Sequence, residues 1–335
     1  VVPLTLLTGF LGSGKTTLLN ALLRDPAFAD CGVVVNEIGA VGVDQLLVEA
    51  SDDTTLVLDG GCFCCSLQDG LAEAVGRLTR ARRDAGLPPF RRFLVETSGA
   101  ANPLPLLQQL IGDPRLNRRV LLDGVVTLVD GILGEASLRD QPEAPLQAAV
   151  ADLLVLTKSD LADAAGLDRL ERSLAGLNPS AARLSAVSGD LPAERLLGLG
   201  PDAAGRRAGR WLEPPAGHPH GHDHDHRHGG EDAIVTASVE LPGPLDPALL
   251  EGWLEELMVV GGAHLLRLKG VLALSDDPGR PVAVHAVQHL VHAPVRLERW
   301  PDGLARGRVT AIARGLDRAT LERALGWLAA QAGGA

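Results

Sequence analysis

Two kinds of apolar pattern alternate along the chain. Short, near-continuous runs rich in Val and Leu occupy Val1–Leu7, Val33–Asn36, Leu56–Leu58, Arg92–Glu96, Val125–Asp130 and Leu153–Thr157. Such runs predict strands buried on both faces, as in a parallel sheet. Arg183–Ala186 is read as a last short strand. Apolar residues at three- and four-residue spacing predict helices between them, over Lys15–Leu23 and about Ser66–Arg83. Alternation of this kind over residues 1–200 predicts an α/β domain with a mostly parallel sheet. The pattern then stops: residues 201–232 are rich in Gly, Pro, Ala, Arg and His, have little to bury, and read as a flexible linker. It resumes over 233–335 as a small α+β domain. Strands are predicted over Ala233–Glu240, Leu265–Leu274, Val282–Val287 and Arg308–Ala313, and helices over Asp246–Leu257 and Asp317–Leu328.

Composition narrows the partners. The 335 residues carry 31 Lys and Arg against 42 Asp and Glu, a net charge of −11, which argues against nucleic acid or an anionic membrane as the main partner. No apolar run reaches transmembrane length and no signal-peptide pattern opens the sequence, so the expectation is a cytoplasmic protein. Three of the four cysteines lie within residues 62–65, a poor disulfide framework and a good metal or redox site.

The first chemistry-bearing motif follows the first predicted strand and opens the first predicted helix. Gly9-Phe10-Leu11-Gly12-Ser13-Gly14-Lys15-Thr16-Thr17 contains G-x-x-x-x-G-K-[ST]. Backbone N–H groups of Gly9, Gly12, Ser13 and Gly14 can wrap a phosphate, helped by the positive end of the helix. Lys15 is expected at the β- and γ-phosphates, and the Thr16 hydroxyl on Mg²⁺. The base is chosen elsewhere. Thr157-Lys158-Ser159-Asp160 follows a buried strand, where GTPases carry N-K-x-D. The Asp160 carboxylate can accept from N1–H and N2–H₂ of guanine, whereas adenine would leave it unpaired. Lys158 would lay its stem along the base, and Thr157 keeps a hydroxyl where Asn is usual. Ser185-Ala186-Val187-Ser188 is read as a second base-contacting loop. Phe93–Gly99 is an apolar strand ending in E-x-x-G. Glu96 there could hold Mg²⁺ through water or orient the attacking water, two roles that stay open, and Gly99 can offer its N–H to the γ-phosphate. Asn36–Asp44, Gly-rich with two acids, is read as a candidate switch.

Two segments suggest a transition metal. Cys62, Cys64 and Cys65 can form a soft-metal site once deprotonated, with a fourth ligand drawn from Glu37, a His, water or a partner. An incomplete shell suits a site that releases its metal; buried small hydrophobes and a redox pair are the other readings. His218, His220, His222, His224, His226 and His228 can collect Zn²⁺, Ni²⁺ or Co²⁺ weakly, or serve only as a solvated linker. Cys31 reads as structural. His285, His289 and His292 are read on one strand, with His285 and His289 on a shared face and His292 pointing away.

Taken together these residues resemble the CobW-like metallochaperone GTPases of the P-loop class. The matching pieces are Gly9–Thr17, Asn36-Glu37-Ile38-Gly39, Gly61-Cys62-Phe63-Cys64-Cys65, Glu96-Thr97-Ser98-Gly99 and Thr157-Lys158-Ser159-Asp160. In the second domain they are Leu266-Arg267-Leu268-Lys269-Gly270 and Ala313-Arg314-Gly315-Leu316-Asp317. The resemblance implies a P-loop NTPase domain followed by a CobW-type C-terminal domain. It further implies a slow GTPase that hands a metal, zinc first and cobalt next, to an unidentified client protein. GTP would order the switch and close the cysteine site, and hydrolysis would open it. A homodimer is compatible with this reading. Three departures stand out: Ala40 where relatives often have Glu, Asn102 where many have Asp, and Thr157. Two alternatives remain beside it among GTPases, an activator of a cobalamin-pathway metalloenzyme and one of a nitrile-hydratase-type enzyme. A non-enzymatic metal buffer and a redox-regulated GTPase also remain.

Overall fold

The computed structural model describes residues 1–38, 55–60, 67–200, 233–262, 264–288, 290–301 and 306–332. These residues divide into two compact units, Val1–Leu170 with Arg183–Leu197, and Glu171–Ala182 with Gly198–Ala335.

The first unit is the predicted α/β layer structure. Its strands are β1 Val2–Gly9, β2 Cys31–Ile38, β3 Thr55–Gly60, β4 Arg92–Thr97, β5 Val120–Asp130, β6 Leu153–Thr157 and β7 Ala182–Ala186. They lie in the order β3-β2-β4-β1-β5-β6-β7. The registers from β3 across to β6 are parallel. Leu4, Leu6 and Leu7 of β1 and Leu153 to Leu156 of β6 are almost inaccessible to solvent, which is why these strands read as continuous apolar runs rather than alternating ones. Helices α1 Lys15–Leu23, α2 Leu67–Asp84, α3 Leu104–Gly112, α4 Pro114–Asn117, α5 Gly134–Asp140, α6 Glu143–Ala149 and α7 Ala164–Leu177 connect them, with the part of α7 from Glu171 onward assigned to the second unit. Leu71, Val75 and Leu78 give α2 a buried stripe at helical spacing. β1 lies between β4 and β5, with β2 to β4 laid down on one side of it and β5 to β7 on the other. In open parallel sheets ligands bind beyond the strand C-termini at such a switch point.

The second unit carries β8 Ile234–Leu241, α8 Pro247–Gly261, β9 Leu265–Leu272, β10 Val282–Val287, β11 Leu290–Val291, β12 Val295–Arg296, β13 Gly307–Arg314 and α9 Arg318–Ala332. Its sheet has the order β11-β10-β9-β13-β8, with β12 also on β10. One face packs Leu268, Val284 and Ala311 against Trp253 and Leu254 of α8 and Leu325 and Leu328 of α9. Gly270 belongs to that face. A Cβ there would stand 2.8 Å from a Val309 methyl and 2.9 Å from a Val284 methyl. Gly270→Ala is therefore expected to overpack the sheet and cost about 1–3 kcal/mol. Denaturant unfolding checks this, and an unchanged midpoint would contradict it.

The structure corrects the placement of one histidine. The segment after Val287 is a tight hairpin, not a continuing strand. Gln288 takes φ 52°, and the registers Ala286↔Val291 and Val287↔Leu290 return the chain onto β10. His292 therefore donates its backbone N–H to His285 O at 2.9 Å. Its ring stacks on His285, with centroids 4.8 Å apart. Burial, then the charges of Arg267, His292 and Lys269, hold the His285 imidazole well below its usual pKa. His289 lies outside the described residues, as do the His218–His228 tract and the whole stretch 201–232.

Candidate functional site at the C-terminal edge of the parallel sheet

The loop between β1 and α1 is set by its glycines. Gly9, Gly12 and Gly14 take φ 141°, 74° and 89°, and Gly14 is the N-cap of α1. A side chain at these angles would be strained, so the loop can close tightly enough for its amides to converge only with glycine there. Ser13 is buried, and its N–H donates to Phe10 O at 3.1 Å. Lys15 is buried to 8% exposure, and its Nζ donates to Gly9 O at 2.8 Å and Phe10 O at 3.2 Å, so the ammonium lies over the loop. Thr16 is half-buried, and Thr17, next on the first turn, is exposed.

β4 brings the predicted acid to this loop. Glu96 is 5% exposed, and Thr16 Oγ1 donates to its Oε1 at 3.1 Å. One residue on, Thr97 Oγ1 donates to Thr8 Oγ1 at 2.8 Å, tying the ends of β4 and β1 together. Gly99 lies against the loop itself: a Cβ would stand 2.7 Å from Leu11 N and 2.8 Å from Leu11 Cα. Only glycine allows that approach, which accounts for the last position of E-x-x-G.

β6 brings the third element. The Thr157 hydroxyl donates to Ser13 O at 2.9 Å, so the residue replacing the usual Asn reaches the phosphate loop through its one remaining donor. Lys158, at φ 53°, extends its Nζ to Gly12 O at 2.9 Å and Asp130 Oδ2 at 2.6 Å. Asp160 is exposed in the turn closed by Leu161 N–H on Lys158 O at 3.1 Å. The loop after β7 also reaches α1: a Cβ on Gly189 would stand 3.1 Å from Thr17 O.

Asp130 belongs to the site although no motif marks it. It ends β5 beside Thr157 in register, and accepts from the N–H groups of Ile132 and Leu133 as well as from Lys158. Burial works against its charge. The Lys158 ammonium and the Leu133 and Ile132 amides outweigh that and hold its carboxyl below the ordinary range. An acid closing a buried apolar strand was the available signal. A depressed folded pKa stabilises the protein above the unfolded value of about 3.9 and is lost as pH falls through the folded one. Unfolding midpoints measured from pH 6 down to 3 are expected to fall less steeply in Asp130→Asn than in wild type. Parallel profiles would contradict the assignment.

The metal candidates are only partly described. Cys62, Cys64 and Cys65 lie outside the described residues, as does the switch candidate from Gly39 onward. Glu37 is placed by the backbone alone. It stands on β2 opposite Asp59, one residue beyond Asn36, which pairs with Thr97 of β4. β3 ends at Gly60 opposite Ile38, two residues before Cys62. Cys31 opens β2, is buried, and its thiol is pushed up to about 12, chiefly by burial. That makes it an inert core thiol. Among the described residues no group of three His, Cys, Asp or Glu could hold a metal ion, and no helix is long and apolar enough to cross a membrane.

Strand ends, phosphate loop, buried acid and T-K-S-D turn converge on one edge of one sheet, which defines a P-loop nucleotide-binding domain. Residues 3–185 match the profile of the CobW/HypB/UreG nucleotide-binding domain, and residues 234–328 that of the cobalamin synthesis protein cobW C-terminal domain. The chain is 33% identical over 296 residues to the zinc chaperone YjiA of Escherichia coli (strain K12), a match covering 87% of this chain and 88% of that one. It is 35% identical over 313 residues to the zinc chaperone CobW of Pseudomonas aeruginosa, covering 84% and 78%. It is 34% identical over 184 residues to the zinc-regulated GTPase metalloprotein activator 1 of Schizosaccharomyces pombe, covering 53% and 44%. The crystal structure of Zn(II)-bound YjiA GTPase from E. coli aligns with a TM-score of 0.72 at 25% identity, covering 98% of each chain. The chain belongs to the CobW/HypB/UreG family of GTPases, among relatives that are zinc chaperones.

Proposed function

We propose that this protein is a GTP-switched carrier that holds Zn²⁺ as cargo on Cys62, Cys64 and Cys65 and yields it to a client metalloprotein when GTP is hydrolysed. The observation that carries this reading is the strand register. β2 brings Glu37, and β3 brings Gly60, two residues before Cys62, to the sheet edge where β4 brings Glu96. A change at the phosphates can then pass through β4 and β2 to β3, the strand that leads into the cysteine segment.

Within the site, the loop amides of Gly9–Gly14 bind the phosphates. Lys15 exchanges its carbonyl partners for phosphate oxygens. Gly99 offers its N–H to the γ-phosphate. Asp160 selects guanine, while Lys158 and Thr157 hold that turn on the phosphate loop. Hard oxygen donors from Thr16 and Glu96 already meet at 3.1 Å, a set that suits Mg²⁺. Bound there, the ion would neutralise charge on the transferring phosphate. A carboxylate buried at the strand end also suits orientation of the attacking water. Soft thiolates favour zinc over Mg²⁺ or Ca²⁺, and Co²⁺ is the second cargo such donors accept.

Zinc affinity measured by chelator competition tests this, with Mg²⁺ and a non-hydrolysable GTP analogue against Mg²⁺ and GDP. A difference of about 5- to 150-fold is expected, the span of ordinary coupling energies. It should be absent in Cys64→Ala. Equal affinities in the two nucleotide states would leave a metal buffer instead.

A further inference from the structure

α6 carries a side chain that no motif marks. Gln147 is 1% exposed, and its Nε2 donates to Gly99 O and to Ala101 O, both at 3.0 Å. Two carbonyls facing one amide fix its orientation, since only the NH₂ end can satisfy both. Its Oε1 accepts no hydrogen bond among the described residues, so the group is used here purely as a double donor. The backbone of Gln147 is anchored in turn. Thr127 Oγ1, on β5, donates to Gln147 O at 2.7 Å, and Thr127 stands in register beside Thr8 at the end of β1.

The two carbonyls it grips belong to Gly99, the last residue of Glu96-Thr97-Ser98-Gly99, and to Ala101, and Gly99 lies against the Leu11 backbone. The following turn closes by Ala101 N–H on Ser98 O at 3.1 Å. Among the described residues it is the Gln147 amide that donates to the Gly99 and Ala101 carbonyls, and Thr127 ties the Gln147 backbone to the sheet. A buried carbonyl that loses its donor costs free energy, so the turn would shift to recover one. A shift there moves the Gly99 N–H.

We infer that Gln147 is a positioning residue for GTP hydrolysis, a double-donor clamp that holds the Gly99–Ala101 turn against the phosphate loop so that the Gly99 N–H meets the γ-phosphate. The inference rests on the GTPase reading above. It separates recognition of the γ-phosphate, which uses the clamp, from recognition of GDP, which uses the loop and the Asp160 turn.

The test uses the full-length protein with Gln147→Met, which keeps length and bulk but removes both donors. Turnover of GTP is expected to fall about 10- to 100-fold, the scale of a small misplacement at a reacting centre. Affinity for a non-hydrolysable GTP analogue should fall, and affinity for GDP should stay within about twofold of wild type, because uniform binding is untouched. Gln147→Glu supplies the second readout. Its carboxyl keeps one O–H donor when neutral and none when ionised, and burial against two carbonyl oxygens favours the neutral form. Its turnover should therefore drop as pH rises through a step that wild type lacks. Wild-type turnover is the control on the GTPase reading, while the ratio of analogue to GDP affinity reads the clamp independently of hydrolysis. Loss of GDP and analogue affinity in equal measure, or wild-type kinetics and affinity ratio in Gln147→Met, would overturn the inference.

Discussion

Lys15→Ala is expected to lower GTP turnover about 10²- to 10³-fold, the usual cost of removing one preorganised donor from a transferring group. The residue is buried at the N-terminus of α1, with its ammonium held on two loop carbonyls. It is therefore already desolvated and already within the loop before any phosphate enters. Little reorganisation remains to be done, so its charge acts at full strength where negative charge gathers. Alanine leaves the glycine angles of the loop and the buried stripe Leu18, Leu19 and Leu22 of α1 in place. The fold should consequently survive, and far-ultraviolet circular dichroism should match wild type. Phosphate release under saturating GTP measures the effect. A loss smaller than about tenfold would mean that the lysine does not reach the phosphates.

Asp160→Asn is expected to weaken GTP binding about 10²-fold and to admit xanthosine triphosphate. A carboxylate matches the two donors on the guanine edge. An amide offers one acceptor and one donor, so its NH₂ would meet the exocyclic amine of guanine, leaving donor against donor. Xanthine carries a carbonyl oxygen in place of that amine and restores the pairing. The turn that presents residue 160 is pinned independently of the base by Thr157 on Ser13 O and by Lys158 on Gly12 O and Asp130. The substitution should thus change selectivity without moving the turn. Competition binding with GTP, ATP and xanthosine triphosphate reads the outcome. Unchanged GTP affinity would place guanine recognition elsewhere.

Much of the phosphate site was legible because its parts are local. G-x-x-x-x-G-K-[ST], E-x-x-G and T-K-S-D are each a few residues long, and each follows a run whose continuous apolarity marks a buried parallel strand. Alignment of strand C-termini in a parallel sheet then brings the three together. The reading failed where contact is distant or turns on one dihedral angle. Asp130 and Lys158 are 28 residues apart, and Gln147 and Gly99 are 48 apart. No spacing rule links such positions, and Gln147 on its short helix looks like any polar helical residue. His292 was misplaced because a strand-period reading carried on past Gln288, whose positive φ reverses the chain onto β10. Glutamine gives no turn signal of the kind that Asn-Gly or Asp-Gly gives.

The substitution of Thr157 for the usual Asn is resolved by geometry. Its hydroxyl reaches Ser13 O and, at 3.3 Å, Val129 O. A shorter side chain with one donor does this because β6 ends close to the loop. Asp130 supplies the charge that steers Lys158 onto Gly12 O, so the T-K-S-D turn is braced from two strands, β5 and β6.

Hydrolysis, not nucleotide binding alone, is expected to release the metal. A single-turnover experiment tests it most directly. Protein loaded with Zn²⁺ and Mg²⁺–GTP is followed for free phosphate and for zinc captured by a fluorescent chelator at the same time. Zinc is expected to appear at the rate of phosphate release, to be retained with a non-hydrolysable analogue, and to be slowed in step with phosphate by Lys15→Ala. Zinc escaping at one rate from the GTP and analogue complexes would contradict it.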